Sequence, residues 1–126
     1  MIEIHNMARD DVNVSPLKWS EKLQRDAQSY AEKLAEKKQM EHDQSCEDGE
    51  NLANGSGGSP DGAMTQAANM WLGEKDDYEE GRYDHYTQMV WKDTKKVGCA
   101  KAVNGDYWIV VCRYTPKGNM KGEKAF

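Results

Sequence analysis

A chain of 126 residues, 37% of them hydrophobic, is long enough for one folded domain spanning 1–126 that removes about two-thirds of its unfolded surface from water. Its 17 Lys and Arg against 22 Asp and Glu give a net charge of −5, with the cations scattered, which argues against nucleic acid or an anionic membrane surface as the main partner. No apolar run approaches the roughly 20 residues of a transmembrane span, and no secretory leader is expected, because Met1-Ile2-Glu3-Ile4 opens directly on helical pattern.

Residues 1–10 read as a short helix carrying His5, Asn6 and Arg9. The segment 12–16 ends it, since Pro16 lacks a donor and pushes Ser15 towards an extended shape. Leu17 and Trp19 read as buried anchors. Ser20 caps a second helix whose inner stripe is Leu23, Ala27, Tyr30, Ala31 and Leu34. Glu36-Lys37-Lys38 is its solvated end, and the helix fades before Met40-Glu41-His42. Residues 43–62 are polar, acidic and rich in Gly and Ser, which predicts a loop containing Gly49-Glu50-Asn51-Leu52-Ala53.

A third helix starts at Ser59-Pro60, with Ser as cap and Pro at the first helical position. Its stripe runs Ala63, Ala67, Met70/Trp71, Glu74, Tyr78. Glu74 breaks the pattern, because a carboxylate on the inward face is costly unless it is paired or solvated in a cleft. A Glu at the edge of the stripe that reaches water is the alternative. After a short loop, 79–84, comes the densest stretch of the chain, Asp84-His85-Tyr86-Thr87-Gln88-Met89-Val90-Trp91-Lys92-Asp93-Thr94. Alternation predicts a strand with His85, Thr87, Met89 and Trp91 on one face and Tyr86, Gln88 and Val90 on the other; a short helix is the competing reading.

Two further strands, 97–103 and 107–114, flank Asn104-Gly105-Asp106. If their turn centres on Gly105-Asp106, Cys99 and Cys112 lie directly opposite one another, within disulfide reach; if it centres on Asn104-Gly105 they are diagonal. A Cys99–Cys112 bond is expected, with Cys46 free, and an oxidising, extracellular context follows from it. No C-x-x-C occurs, so neither a zinc ribbon nor a thioredoxin-type site is supported. The turn Thr115-Pro116-Lys117-Gly118-Asn119 and a polar tail close the chain.

The polar residues that suit a cleft are His42, Glu50, Glu74 and His85. Two imidazoles and two carboxylates match a divalent ion such as zinc, or two acid/base pairs in which each His is oriented by a Glu. Spacing does not decide between them, since no H-E-x-x-H appears. A serine hydrolase lacks its G-x-S-x-G. Glu47 and Asp48 beside Cys46 are expected to raise its thiol pKa and blunt its reactivity.

Taken in order, His5-Asn6-x-x-Arg9, Leu17-x-Trp19, Gly49-Glu50-Asn51-Leu52-Ala53, Trp71-x-x-Glu74, His85-Tyr86-Thr87-Gln88-Met89-Val90-Trp91 and Ile109-Val110-Val111-Cys112-Arg113-Tyr114-Thr115-Pro116-Lys117-Gly118-Asn119 resemble the CAP superfamily. That superfamily includes cysteine-rich secretory proteins, insect venom antigens and plant pathogenesis-related proteins. The resemblance implies an α+β fold, a three-layer α/β/α sandwich with a small antiparallel sheet between helical layers. It also implies a cleft lined by a His-Glu-Glu-His tetrad, here His42, Glu50, Glu74 and His85. The histidines would hold a divalent metal, commonly zinc, and the glutamates would orient them or a bound water. His5, Asn6 and Arg9 match a motif with a packing role.

Three departures qualify the resemblance. The loop 79–84 is short where many relatives carry a longer segment tied in some to sterol binding, so sterol binding is not carried over. Asp84 stands where a Gly is usual, and by charge proximity it should raise the His85 pKa and oppose metal binding at acidic pH. The few cysteines and the missing cysteine-rich extension remove the expectation of ion-channel activity. The expected protein is secreted and non-enzymatic, with a cleft that takes a divalent cation and, as a further ligand, a lipid or a peptide; no nucleic-acid partner is expected. Its rivals are a metal-dependent hydrolase with Glu50 or Glu74 as general base, and a defence or signalling protein that acts through its surface. A cytosolic or membrane-associated protein is the alternative to secretion.

Overall fold

Helix α1 spans Ile2–Asp11 and stops where the chain turns through Asn13 towards Pro16. The two-residue strand β1, Lys18–Trp19, follows, and then helix α2, Glu21–Lys37. The structure, a computed structural model, describes residues 1–57 and 60–126. The Ser20 hydroxyl accepts the Leu23 amide at 3.2 Å, as its place before the apolar stripe predicts. Leu23, Ala27, Ala31 and Leu34 are buried together with Ala35, while Tyr30 sits half-buried at the rim. Strand β2 covers Gly49–Ser56, helix α3 Ala63–Leu72 and helix α4 His85–Val90; β3, Lys96–Asn104, and β4, Tyr107–Thr115, close the fold.

The strand order is β1-β3-β4-β2, antiparallel except for the pair Lys18–Trp19 against Lys96–Val97. Both faces of this sheet are covered. On one, Trp108, Val110, Cys112 and Tyr114 join Ala8 of α1, Ala63, Ala67 and Trp71 of α3, and Tyr86, Met89 and Val90 of α4. On the other, Tyr107, Ile109 and Val111 join Ala27, Ala31 and Leu34 of α2. That alternation at a period of two is why β4 reads as a nearly continuous apolar run: Tyr107 to Cys112 and Tyr114 each lie in one core or the other. The result is the three-layer α/β/α arrangement.

Several expectations change. Residues 85–90 form a helix, not a strand. Asp84 accepts the Thr87 amide at 3.0 Å and the Thr87 hydroxyl accepts the Asp84 amide at 2.8 Å, so a capping box starts a turn before any ladder can form. Every residue from Tyr86 to Val90 is buried, so the alternation in sequence marks no exposed face. Residues 49–56, expected as loop, pair with β4 from Gly49 opposite Tyr114 to Ser56 opposite Tyr107. This polar strand is held by its partner's ladder and by a close approach: a Cβ on Gly49 would fall 2.1 Å from the Lys117 carbonyl oxygen. The expected cap Ser59 lies outside the described residues, and α3 proper begins at Ala63 after a 3-10 turn at Pro60–Gly62. Trp71 is the inward residue of the Met70/Trp71 pair, for Met70 is 51% exposed. A 3-10 segment, Gly73–Asp77, then carries Glu74. Leu17 is buried as expected, whereas Trp19 is only half-buried.

The hairpin turns on Gly105-Asp106, with Asn104 opposite Tyr107 and Gly105 at φ +65°, where a Cβ is disfavoured. Cys99 therefore faces Cys112, and the two form a disulfide. Cys46 is free. Alkylation without reduction is expected to label one thiol, read by mass spectrometry, and Cys99→Ala with Cys112→Ala to lower unfolding free energy by about 2–3 kcal/mol through the freed unfolded chain.

His5 is fully buried, with Nδ1 3.0 Å from the Met1 carbonyl and Nε2 2.7 Å from the Tyr114 hydroxyl. The carbonyl only accepts, so Nδ1 carries the proton and Nε2 accepts from Tyr114. Burial, with the amino terminus and Arg9 nearby, pushes its pKa down to about 4. Unfolded His5 binds a proton through its ordinary range near 6.5 while the native ring does not. The contribution is thus complete above about pH 6.5 and falls as pH drops towards 4, by about 3 kcal/mol in total. Urea unfolding at a series of pH values should show this slope, and His5→Gln should start less stable and flatten it.

Candidate functional site

Two His–Glu pairs arise from different parts of the chain. Glu74 sits one turn past Trp71, where the 3-10 segment aims its carboxylate at the start of α4. Its Oε1 accepts the backbone amides of His85 at 2.8 Å and Tyr86 at 3.1 Å, and its Oε2 lies 2.8 Å from His85 Nδ1. The inward Glu is thereby satisfied, and the helix start gains the negative charge it favours. The Trp71 indole stacks on the His85 ring at 6.0 Å and 15°, while its Nε1 donates to the Leu52 carbonyl at 3.1 Å. Asn51 Nδ2 donates to the His85 carbonyl at 3.1 Å. Asp84 is engaged as the cap of α4 and pairs with Arg82 at 2.9 Å.

The second pair joins the loop after α2 to the sheet. His42 Nδ1 lies 2.9 Å from Glu50 Oε1, which also accepts the Asp43 amide at 3.0 Å. The Glu50 side chain is 5% exposed and the His42 side chain 57%. Arg113, opposite Glu50 in the β2–β4 ladder, donates through Nη2 to Asp43 Oδ2 at 2.8 Å and to Glu50 Oε2 at 3.3 Å. Burial alone would lower the Arg113 pKa, but Cys46, Asp43 and Glu50 around it hold it above its ordinary value.

His42, Glu50 and His85 border one cavity of about 370 Å³, together with Asn51, Tyr83, Asp84 and Asn119; Glu74 reaches it through His85. A neighbouring cavity of about 300 Å³ shares His42, Glu50 and Asn119 and adds Cys46, Gln88 and Lys117. The Cys46 thiol is pushed up first by burial, then by Asp48 and Glu50, which is the expected direction with burial as the larger cause. Arg113, Asn51 and Asn119 stand in the quoted motifs, but the sequence reading gave them no place in the site. A signal existed for Arg113, a lone charge inside the apolar run Val110-Val111-Cys112-Arg113-Tyr114.

Among the described residues no group of three or more His, Cys, Asp or Glu is disposed to hold a metal ion. The donor set is two imidazoles. Each turns Nδ1 to a carboxylate, which accepts a hydrogen bond from Nδ1–H and so leaves the Nε2 lone pair of the neutral ring for a ligand. Such a set fits a divalent cation whose other positions are filled by water or by a bound molecule.

The sequence model of the cysteine-rich secretory protein family matches residues 2–114. The chain belongs to this family, the CAP family. It is similar to pathogenesis-related protein 1A of Nicotiana tabacum, 40% identical over 99% of this chain and 78% of the relative, and to pathogenesis-related protein 1 of Arabidopsis thaliana, 39% identical over 99% and 80%. Among solved structures, NaASP2 crystallised with Zn2+ superposes at a TM-score of 0.82 with 25% identity, over 99% of this chain and 82% of that one. The mixed sheet between helical layers is therefore the CAP fold.

Glu74 holds three N–H groups of this CAP domain. Glu74→Gln keeps an acceptor for the two amides but sets an NH₂ against His85 Nδ1. It should cost about 1–3 kcal/mol in chemical unfolding and move the His85 ring signals in NMR spectra while leaving those of His42 in place.

Proposed function

We propose that the protein is a secreted, defence-type CAP protein whose cleft binds a divalent cation, zinc-like, through His42 and His85, and acts as a binding module. The observation that carries this is the pairing of each Nδ1 with a carboxylate beside one shared cavity. Matched orientation of two imidazoles serves ligation, for which the second nitrogen must be fixed as an acceptor. When bound, the cation would supply a Lewis-acidic anchor for an oxygen of the ligand. The presence of Zn2+ in the NaASP2 crystal supports the assignment, and the pathogenesis-related relatives support the defence role. Secretion agrees with the family's name and with the disulfide. No helix among the described residues is long and apolar enough to cross a membrane.

Both carboxylates act here as orienting groups. Glu50 takes His42, the Asp43 amide and Arg113; Glu74 takes His85 and the Tyr86 amide. A general base for hydrolysis needs a carboxylate oxygen free for the reacting water, and the N–H donors gathered on both carboxylates favour the orienting role instead. For the further ligand, the polar lining of Glu50, Asn51, Asp84 and Asn119 with Tyr83 suits the amides of a peptide better than an acyl chain.

Zinc titration at about pH 7.5, where imidazole is mostly neutral, followed by the histidine ring signals, tests the site. The His42 and His85 rings are expected to shift together, and His42→Ala and His85→Ala each to weaken binding at least about tenfold. Silent rings in the parent protein overturn the proposal.

A further inference from the structure

The two arms of the cleft are unequally built. His85 begins a capped helix, is stacked on Trp71 and has three of its own polar atoms bonded. His42 lies in the segment between α2 and β2, which forms no helix or strand. Among the described residues, the hydrogen bonds that reach 41–43 from the body of the fold come from Tyr30, Glu50 and Arg113. The Tyr30 hydroxyl donates to the Glu41 carbonyl, just before His42. Arg113 Nη2 donates to the Asp43 carboxylate at 2.8 Å, just after it, and to Glu50 at 3.3 Å. The Tyr30 ring covers the Arg113 guanidinium at 5.2 Å, so the two fasteners are one packed unit. The exposed contact of Lys37 with Glu41, at 4.0 Å, adds little.

Stability alone explains this unit poorly. Arg113 is 7% exposed and its Nε–H has no partner among the described residues. A buried donor left unpaired is costly, and a buried ion pair is often replaced by apolar side chains without loss. A guanidinium on a buried strand with one donor unpaired calls for a role that an apolar residue cannot fill. Bridging Asp43 to Glu50 is such a role.

We infer that Tyr30 and Arg113 are positioning residues, a clamp that holds the neighbours of His42 on both sides, Glu41 by its carbonyl and Asp43 by its carboxylate, and so presents this histidine, in advance, opposite His85. The inference rests on the cation-binding reading for its consequence, not for its geometry. With the clamp intact the second imidazole is already placed when a cation reaches His85. Without it, ordering the loop must accompany binding, and affinity drops by the fraction of molecules in which His42 is in place.

The test separates placement from binding. In the metal-free protein, the His42 ring order and the hydrogen exchange of the 41–46 amides are measured by NMR for Tyr30→Phe, which removes one hydroxyl, and for Arg113→Gln. Zinc affinity is then measured by calorimetry on the same samples. Both variants are expected to free the His42 ring, speed exchange in that segment and lower zinc affinity about 10- to 100-fold, with the His85 ring unmoved. Arg113→Lys, which keeps the charge but not the fork, should recover part of both effects. If Arg113→Gln unfolds, Tyr30→Phe carries the measurement. A His42 ring as ordered in Tyr30→Phe and Arg113→Gln as in the parent overturns the clamp, whatever happens to affinity. A parent protein that binds no zinc, with His42 freed in the variants, sustains the clamp and rejects the cation-binding reading.

Discussion

The Arg9 guanidinium fixes the architecture on which the site stands. It is buried, and among the described residues no carboxylate pairs with it. Its Nε donates to the Ser15 carbonyl at 2.6 Å, Nη1 to the carbonyls of Met89 at 3.1 Å and Trp91 at 2.9 Å, and Nη2 to that of Thr94 at 3.0 Å. Burial pushes its pKa down to about 10, which still leaves it charged at neutral pH. The acceptors are the end of α4 and the chain beyond it, where helix carbonyls lack partners and carry partial negative charge. One cation from α1 thus ends α4, sets its distance from α1 and holds the turn that follows α1.

Six residues of helix do not stand alone in water, because nucleation costs more than so few bonds return. Arg9 holds the far end of α4 and Glu74 the near one. The Glu74 carboxylate that accepts the first amides of α4 also faces the His85 ring, so on this arm helix formation and ring orientation are one event. The His42 arm is different in kind. Its ring, its backbone and its carboxylate come from a loop, a helix rim and two strands, and the parts can be loosened one at a time.

How far the residues announce this follows from how local the causes are. The Ser20 cap and the stripe of α2 are decided within a few residues and were legible; the Cys99–Cys112 bond was expected as well, although the sequence left the turn open between Gly105-Asp106 and Asn104-Gly105. Legible too was Glu74, whose inward place on the stripe breaks the pattern. The strand β2 was not, because Gly49-Glu50-Asn51-Leu52-Ala53-Asn54-Gly55-Ser56 has almost no strand propensity and takes its shape from the ladder with β4. Helix α4 was read as a strand because its alternating pattern is short and its causes, Arg9 and Glu74, lie far away in sequence. The one local signal, Asp84 three residues before Thr87, was present and not read. Side-chain chemistry alone put His42 and Glu50 beside His85 as cleft candidates, but nothing in their spacing implies one shared cleft; the resemblance to known proteins supplied that.

The family is named for cysteines, yet in this member the disulfide joins β3 to its hydrogen-bonded neighbour β4 and ties no layer to another. Buried polar side chains do that work. Tyr114, in the sheet, donates to His5 of α1 at 2.7 Å and accepts from Asn51 of β2 at 3.2 Å, and Asn51 goes on to the His85 carbonyl of α4 at 3.1 Å. The direction of donation along this path is set at one end by the Met1 carbonyl, which compels Nδ1 of His5 to carry the proton. Each member depends on the next having a defined donor and acceptor, so protonation of His5 would not only add a buried charge but reverse the demand on Tyr114. The path ends at the backbone of the histidine that faces the cleft. A disulfide between layers would be indifferent to pH; hydrogen bonds through a neutral imidazole keep their donor and acceptor order only while it stays neutral, and this polar path, which adds to the two apolar cores, runs from α1 to the edge of the site.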